Sequence, residues 1–395
     1  MVLEWLFFLA VLLLPIAAVS GWVLGRRELA QLARRRDHSS QVATDYFMGL
    51  NYLLHDRPDK AIEVFIKALD VETETVETHL ALGNLFRRRG EVDRAIRIHQ
   101  NLVARSTLDV RQRGLALLEL GLDYMRSGLF DRAENLFMEL LDIGMYQPQA
   151  LRHLIDIYQQ EQDWHKALEY STRLESLSGE NRALERAHFY CEQAEECIAR
   201  GARDEAQEFL DKALLADRRS VRASLVFANL AIAARDFERA LQHLKRIEQQ
   251  DLAFLPEIMA PLARCYRGLQ QPDEFREYLT RLAGLRAGVS ATLALGELKA
   301  EQDGLVEAKR YIVHELKIRP TIRGIERLVE YALHGAQGEA LDDFQVLKET
   351  TIRLIAGKAT YQCGHCGFSG HTLHWHCPGC KSWSTVKPIY GIEGE

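Results

Sequence analysis

Small and aromatic residues recur at fixed spacings through the middle of the chain. A period of about 34 residues, with a small residue three positions before an aromatic one and then Ala-x-x-x-Phe, is typical of the tetratricopeptide repeat. We expect each small residue to let the two helices of a hairpin approach closely. Three units keep the whole frame: Gly49-x-x-Tyr52 with Ala61-x-x-x-Phe65, Gly83-x-x-Phe86 with Ala95-x-x-x-His99, and Gly121-x-x-Tyr124 with Ala133-x-x-x-Phe137.

Later units keep the frame with more substitutions. Because stacked repeats bury a continuous core, their small and aromatic residues are interpreted as packing positions. The sequence therefore predicts an all-α superhelical array of eight or nine repeats over 42–340, followed by a closing helix over 341–357. The markers of the later units are Tyr158 with Ala167, Ala194 with Ala206, Ala228 with Ala240, Tyr266 with Leu279, Gly296 with Ala308, and Tyr331 with Ala340.

The N-terminus carries a different pattern, an almost unbroken apolar run from Trp5 to Leu24. A bilayer-spanning helix needs about twenty apolar residues. Glu4 is the only charged side chain before the run, which disfavours a cleaved signal peptide. Basic residues follow it instead, so the positive-inside rule predicts a transmembrane helix over 1–25 with a periplasmic N-terminus, a basic juxtamembrane linker over 26–41, and a cytoplasmic remainder. These basic residues are Arg26, Arg27, Arg34, Arg35 and Arg36.

Four of the seven cysteines form two C-x-x-C pairs near the C-terminus, Cys363-Gly-His-Cys366 and Cys377-Pro-Gly-Cys380. Two such turns, joined by a short loop, place four thiolates around one ion. We therefore predict one metal ion in a small module over 358–395 that folds together with its metal. Zinc is favoured over iron because four thiolates make a closed structural site, although rubredoxin holds iron with the same four ligands.

Other residues of this module support the metal-site interpretation. Gly364, Gly367 and Gly379 are expected to supply the positive φ that tight turns need. Exposed loop positions are favoured for the nearby histidines, since four cysteines already complete the ligand shell. These histidines are His365, His371, His374 and His376. Large apolar surface comes from Tyr361, Phe368, Trp375, Trp383 and Tyr390.

The remaining three cysteines, Cys191, Cys197 and Cys265, are scattered singly through helical sequence. Buried thiols are the ordinary fate of such residues in a reducing cytosol. The sequence has no Gly-rich phosphate loop, no G-x-S-x-G turn and no H-E-x-x-H helix, so we predict that the chain is not an enzyme. A net charge of −6 and a pI near 6.2 give no overall basic field for nucleic acid, so none is expected as a partner. Two C-x-x-C knuckles are also common in nucleic-acid-binding ribbons, so local binding at the metal module stays open.

The concave face of the predicted array is the expected surface for protein partners, because such arrays present long grooves. An apolar stretch beside a basic one suits an amphipathic acidic segment. The candidate groove residues are Tyr46, Leu50, Leu53, Asn84, Arg87, Arg88, Leu118, Leu122 and Met125.

The three parts in this order resemble the lipopolysaccharide assembly protein B family of Gram-negative bacteria. The resemblance covers essentially the whole chain, and Cys363, Cys366, Cys377 and Cys380 fall where that family has its metal ligands. Rubredoxin usually has glycine after its last cysteine, whereas this chain has Lys381. This departure favours a structural metal over a redox-active iron.

The resemblance implies regulation at the inner membrane. Members of the family look like tethered adaptors that present the lipid A pathway's deacetylase to the membrane-bound AAA+ protease FtsH. An inner-membrane protein that senses lipopolysaccharide is the expected partner of the transmembrane region. Two other functions stay open: a scaffold for the lipopolysaccharide synthesis and assembly machinery, and an iron-containing redox protein. Self-association of the chain also stays open.

Overall fold

The structure is a computed structural model that describes residues 22, 26, 48–49, 51–52, 57–70, 76–285, 288–392 and 394. Except for residues 22 and 26, the predicted transmembrane helix and basic linker lie outside the described residues. Three of the candidate groove residues, Tyr46, Leu50 and Leu53, also lie outside them. No helix among the described residues has the length and apolar character needed to span a bilayer.

The described part of the chain is mostly helical, as the repeat pattern predicts, and a small sheet follows the last helix. The two compact units of the chain are Met1–Glu161, which contains α1 to α6, and Gln162–Glu395, which contains the rest. The helices are α1 (Pro58–Asp70), α2 (Val76–Arg88), α3 (Val92–Val103), α4 (Val110–Arg126), α5 (Phe130–Ile143), α6 (Gln147–Glu161), α7 (Trp164–Ser178), α8 (Ala183–Ala199), α9 (Arg203–Ala216), α10 (Val221–Ala233), α11 (Phe237–Gln250), α12 (Leu255–Gly268), α13 (Pro272–Gly284), α14 (Ser290–Gln302), α15 (Leu305–Ile318), α16 (Ile322–Leu333) and α17 (Glu339–Ile355).

In the first compact unit of the chain, glycines permit the close helix approach that the repeat frame predicts. A Cβ atom at Gly121 would lie 2.6 Å from Cε1 of Phe137, and one at Gly83 would collide with the imidazole of His99. Real Cβ atoms do not come this close to a ring, so any side chain at these positions would push the paired helices apart. The small residue of the frame is therefore a packing requirement here.

A buried polar network replaces the usual aromatic contact around His99. Its Nδ1 lies 2.5 Å from Oδ2 of Asp123, and both side chains are fully buried. The other oxygen of Asp123 accepts a hydrogen bond from Nη1 of Arg87 at 2.8 Å. Arg87 also donates to Oε2 of Glu119 at 2.6 Å and to Oδ1 of Asn84 at 2.7 Å. The network thus links α2, α3 and α4 through paired and hydrogen-bonded groups, as buried charges require.

Several hairpins close with one residue in the left-handed conformation. Glycine takes this position at Gly90, with φ 82°, and at Gly128, with φ 77°. Arg235 and Gln270 take it at the corresponding turns of the second unit, with φ 61° and 56°. In each turn this residue and the next donate backbone N–H groups to carbonyls three and five residues earlier. A side chain in this conformation costs about 1 kcal/mol, so packing around the turn outweighs local preference.

The C-terminal module begins after α17 and contains a three-stranded antiparallel sheet. Its strands are β1 (Tyr361–Cys363), β2 (Ser369–Gly370) and β3 (Val386–Pro388), in the order β2-β1-β3. Cys363 pairs with Val386 across the β1–β3 ladder, so the first metal-ligand candidate sits at the end of the central strand. A 3₁₀ turn, Leu252–Phe254, precedes α12 and forms part of the surface on which this module rests.

Candidate metal centre

The two C-x-x-C segments fold into matching knuckles. In the first, the N–H of Gly367 donates to the carbonyl of Cys363 at 3.0 Å, and in the second Lys381 donates to Cys377 at 2.9 Å. The residue after each knuckle is left-handed, with φ 77° at Gly367 and 58° at Lys381. Lys381 therefore adopts, with a side chain, the conformation for which glycine is usual.

The four cysteine sulfurs converge on one point. All four Sγ atoms of Cys363, Cys366, Cys377 and Cys380 lie within 4.8 Å of one another. The Cys363–Cys380 and Cys366–Cys377 sulfur pairs are each separated by 3.7 Å. A tetrahedron with metal–sulfur bonds of about 2.3 Å has sulfurs about 3.8 Å apart. The donor set and its spacing therefore fit one tetrahedral ion, and these four side chains would hold it.

The surroundings favour the thiolate at two of the four cysteines, Cys363 and Cys380. Backbone N–H groups of His365 and Cys366 approach Sγ of Cys363 at 3.4 and 3.5 Å. The Thr385 hydroxyl, followed by these N–H groups, lowers the pKa of Cys363 to about 7. The Ser382 side chain, with its backbone N–H, lowers the pKa of Cys380 to about 5. At Cys366 the backbone N–H of Phe368 also favours the thiolate, but desolvation and the neighbouring sulfurs outweigh it and raise the pKa to about 11. Bound at this cluster, a divalent ion supplies the positive charge that lets four thiolates share such a small volume.

One sequence expectation about the glycines is wrong. Gly367 has positive φ, but Gly364 and Gly379 do not. A Cβ at Gly379 would lie 3.2 Å from Sγ of Cys366, so the lack of a side chain there serves close approach to the sulfur. At Gly364 the nearest atom to a Cβ would be the Thr385 carbonyl oxygen at 3.9 Å, which leaves room for a side chain.

The nearby histidines are placed for other contacts, and the expectation of exposed positions is wrong for His374 and His376, which are partly buried. His365 Nδ1 lies 3.1 Å from the Ser382 hydroxyl, and His376 Nε2 lies 2.8 Å from the Lys381 carbonyl oxygen. His374 Nε2 lies 3.0 Å from the Thr372 hydroxyl, and His371 is exposed. Within the described residues, the cluster that could hold a metal contains only cysteines.

Trp383 anchors the metal module to the repeats of the second unit. Its indole stacks on the imidazoles of His188 and His376, with centroid distances of 4.6 and 4.5 Å. Phe189 and Trp164 meet the indole edge-on at 6.0 and 6.4 Å. Stacked and edge-to-face rings of this kind add about 1 kcal/mol each beyond burial.

A second set of contacts joins the module to the residues before α12, to the first turn of α12 and to the start of α16. Trp375 stacks on Phe254 with ring centroids 5.3 Å apart. The Tyr361 hydroxyl donates to Glu257 at 2.6 Å, and Lys387 donates to Asp251 at 2.7 Å. Two further contacts are those of the Tyr390 hydroxyl with the Ala253 carbonyl at 3.0 Å and of the Ile322 N–H with the Ile392 carbonyl at 2.9 Å. The module therefore folds back along the array, instead of extending from its last helix.

Comparisons with known proteins agree with both parts. The family described as "Rubredoxin metal binding domain" matches residues 361–388, and the tetratricopeptide repeat family matches residues 78–113. Lipopolysaccharide assembly protein B of Escherichia coli (strain K12) is 40% identical over 384 residues, which cover 97% of this chain and 98% of that protein. The chain belongs to the lipopolysaccharide assembly protein B family. A second member, from Haemophilus influenzae, is 36% identical over 392 residues with the same coverage.

A solved structure gives a weaker likeness. The chain in the crystal structure of MamA protein is 21% identical in sequence to this one. The match covers 47% of this chain and 96% of the MamA chain, with a TM-score of 0.36. That score is too low to support an argument about this family. The rubredoxin-type match contains all four cysteines, which indicates one metal ion for this member of the lipopolysaccharide assembly protein B family.

The candidate groove residues that the structure describes lie on α2 and α4. Asn84 and Arg87 are partly exposed and belong to the polar network around Asp123. Arg88 is exposed. On α4, Leu118 is buried while Leu122 and Met125 are partly exposed. Arg87 is thus committed to internal partners, and only part of the predicted set faces solvent.

The residues that position the metal module in this family member were not singled out from the sequence. His188, Phe189 and Glu257 lie on repeat helices and Phe254 lies in the 3₁₀ turn before α12, where they look like ordinary positions of the array. The sequence carries one signal for them: the module is rich in aromatic residues, including Trp375 and Trp383, although it is too small for a core of its own.

Proposed function

We propose that this chain is an inner-membrane-anchored cytoplasmic adaptor that regulates lipopolysaccharide biosynthesis. In this proposal it promotes FtsH-dependent proteolysis of the lipid A pathway deacetylase. The observation that carries the proposal is membership of the lipopolysaccharide assembly protein B family over nearly the whole chain. The repeats offer a binding surface, and the closed four-cysteine site suits a structural ion better than a catalytic one.

The proposed tether is the N-terminal apolar segment. Anchoring a binding surface beside a membrane protease converts a bimolecular encounter into an intramolecular one and raises the effective concentration of client. An inner-membrane protein that senses lipopolysaccharide would act on the same segment. Topology can be tested with a reporter fused after Arg36, which should report a cytoplasmic location. Periplasmic activity of that fusion would contradict both the topology and the adaptor role.

The proposal is tested by the half-life of the deacetylase in cells. Wild type is compared with a chain lacking residues 1–25 and with Cys363→Ser, each at equal abundance. The tether deletion should lengthen the half-life and produce excess lipopolysaccharide. His371→Ala, in an exposed loop of the module, serves as the matched control and should behave as wild type. An unchanged half-life when the whole protein is depleted would exclude the adaptor role.

A scaffold for lipopolysaccharide assembly is the second candidate, and the word "assembly" in the relatives' name favours it. In that case depletion would displace assembly partners without changing the half-life of the deacetylase. Crosslinking of the intact protein in membranes, followed by identification of the partners, separates the two functions.

A further inference from the structure

A cleft of about 530 Å³ lies where the metal module meets the repeats of the second unit. On the repeat side it is lined by Leu184 at the start of α8 and by Phe254 before α12. On the other side it is lined by Trp375, Ser384 and Lys387 of the module. Ligand sites in proteins have volumes of about 300–1,000 Å³, so the cleft has the size of a binding site. One of its walls exists only where the metal module is folded in place.

Two buried side chains that line this cleft each keep a polar atom without a hydrogen-bond partner. They are Gln250, through Oε1, and His188, through Nδ1, and the residues are 5% and 2% exposed. Their other polar atoms are used: Gln250 Nε2 donates to the Arg218 carbonyl at 2.9 Å, and His188 Nε2 lies 2.7 Å from the Ser384 hydroxyl. Both atoms are shielded from solvent, so a ligand in the cleft reaches them only when these side chains rotate toward it. An unsatisfied buried polar atom costs about 1–3 kcal/mol, so a rotation that brings the atom onto a hydrogen-bonding partner gains affinity.

The charges around the cleft balance. Lys387 pairs with Asp251 at 2.7 Å, and Asp217 accepts a hydrogen bond from the backbone N–H of Arg219 at 2.9 Å. Two acidic and two basic side chains leave no excess charge to select a phosphate, a nucleic acid or a metal cation. The rings of Phe254 and Trp375 add an apolar surface. A fitting ligand is therefore uncharged and combines hydrogen-bonding groups with an apolar group.

We propose that this cleft binds a short, extended, uncharged segment of a partner protein. A polypeptide supplies N–H and C=O groups side by side, which matches the unpartnered atoms of Gln250 and His188. An apolar side chain of the segment packs against Trp375 and Phe254. Because Trp375 belongs to the metal module, segment binding requires the ion. The binding itself is independent of the proposed role in proteolysis, since it is a property of the purified protein.

The test uses phage-displayed random heptapeptides selected on the zinc-loaded, full-length protein in detergent. Leu184→Arg places a charged, bulky side chain at the cleft, and Leu184 is already 40% exposed, so folding should be retained. Leu215→Arg is the matched control, because Leu215 on α9 is 80% exposed and lies outside the cleft. Selected peptides should share an apolar position. They should bind wild type and Leu215→Arg equally, and Leu184→Arg at least tenfold more weakly.

Two further measurements test the role of Gln250 and the metal requirement. Gln250→Met keeps the length of the side chain but removes both Oε1 and the Nε2 donor to the Arg218 carbonyl. It should weaken the same peptides at an unchanged melting temperature, while removal of zinc by a chelator should abolish their binding. Failure to enrich any peptide, or equal binding to Leu184→Arg, overturns the proposal. Binding that survives zinc removal overturns the metal requirement. Concentration-dependent dimerisation that Leu184→Arg abolishes, without peptide binding, would assign the cleft to a second copy of the chain instead.

Discussion

The imidazole of His188 stacks on the indole of Trp383 with ring centroids 4.6 Å apart and an interplanar angle of 20°. His188 belongs to a repeat helix, whereas Trp383 lies three residues after the last cysteine of the metal module. The same imidazole lies 2.7 Å from the Ser384 hydroxyl. One repeat side chain therefore holds two consecutive residues of the module.

Replacing this side chain should loosen the module without touching a metal ligand. His188→Ala loses the stack and the hydrogen bond, together worth about 2 kcal/mol, and should speed limited proteolysis between α17 and the module. Metal content should stay at one ion per chain. His243→Ala is the matched control, since His243 stacks on Phe227 at 4.2 Å within the repeats. Equal proteolysis of the two variants would show that His188 does not hold the module.

Loss of a cysteine ligand should first remove the ion and then unfold the module, whereas His188→Ala should loosen the module while the ion stays bound. Cys363→Ser should release the ion and unfold the module, because the module lacks a core of its own. Far-UV circular dichroism should change little, while the near-UV signal of Trp375 and Trp383 should collapse. His371→Ala should retain the ion and both signals. A global loss of helix in Cys363→Ser would show that module and repeats form one cooperative unit.

The ion-pair network of the first unit predicts a sharp contrast between two neighbouring arginines. Arg87→Ala leaves Asp123, which is fully buried, without its guanidinium partner and should cost about 3 kcal/mol. Arg88 is exposed, and Arg88→Ala should change stability by about 0.5 kcal/mol or less. Calorimetric melting of both variants measures the difference. Equal melting temperatures would exclude a stabilising role for the network.

The features that depend on local spacing can be predicted from the sequence. The two C-x-x-C turns and the Gly83 and Gly121 packing positions follow from residues close along the chain, and the structure brings them together as expected. The docking of Trp375 on Phe254 joins residues far apart in sequence, for which no spacing rule exists. The left-handed backbone conformation of Gln270 could not be predicted either, because tertiary packing holds a non-glycine residue in that turn.

The buried histidine also predicts a pH dependence. Burial, then the positive charge of Arg222 and then His376, hold the pKa of His188 well below its ordinary value. The unfolded chain, with a histidine pKa of about 6.5, therefore takes up the proton first as the pH falls. The contribution of neutral His188 to the free energy of unfolding is therefore fully present above about pH 6.5. It declines below that pH, because protonation favours the unfolded chain.

This decline can be assigned to one residue by subtraction. Acid also protonates the cysteine ligands, but that effect is common to wild type and His188→Gln. The drop in melting temperature between pH 7.5 and pH 5.5 should therefore be smaller in His188→Gln than in wild type. Glutamine can still hydrogen-bond Ser384, which makes it a conservative replacement. Identical pH profiles would exclude His188 as the titrating group.

The return of the module to α8 and α12 affects the order in which the chain can fold. A repeat array normally needs contacts only between neighbours and can fold as it leaves the ribosome. Here Trp164, Phe189 and Phe254 are made long before the tryptophans that cover them. The metal module cannot cover these rings until the last residues have been synthesised and the ion is bound. We therefore expect incomplete or metal-free chains to expose a hydrophobic surface that finished chains bury.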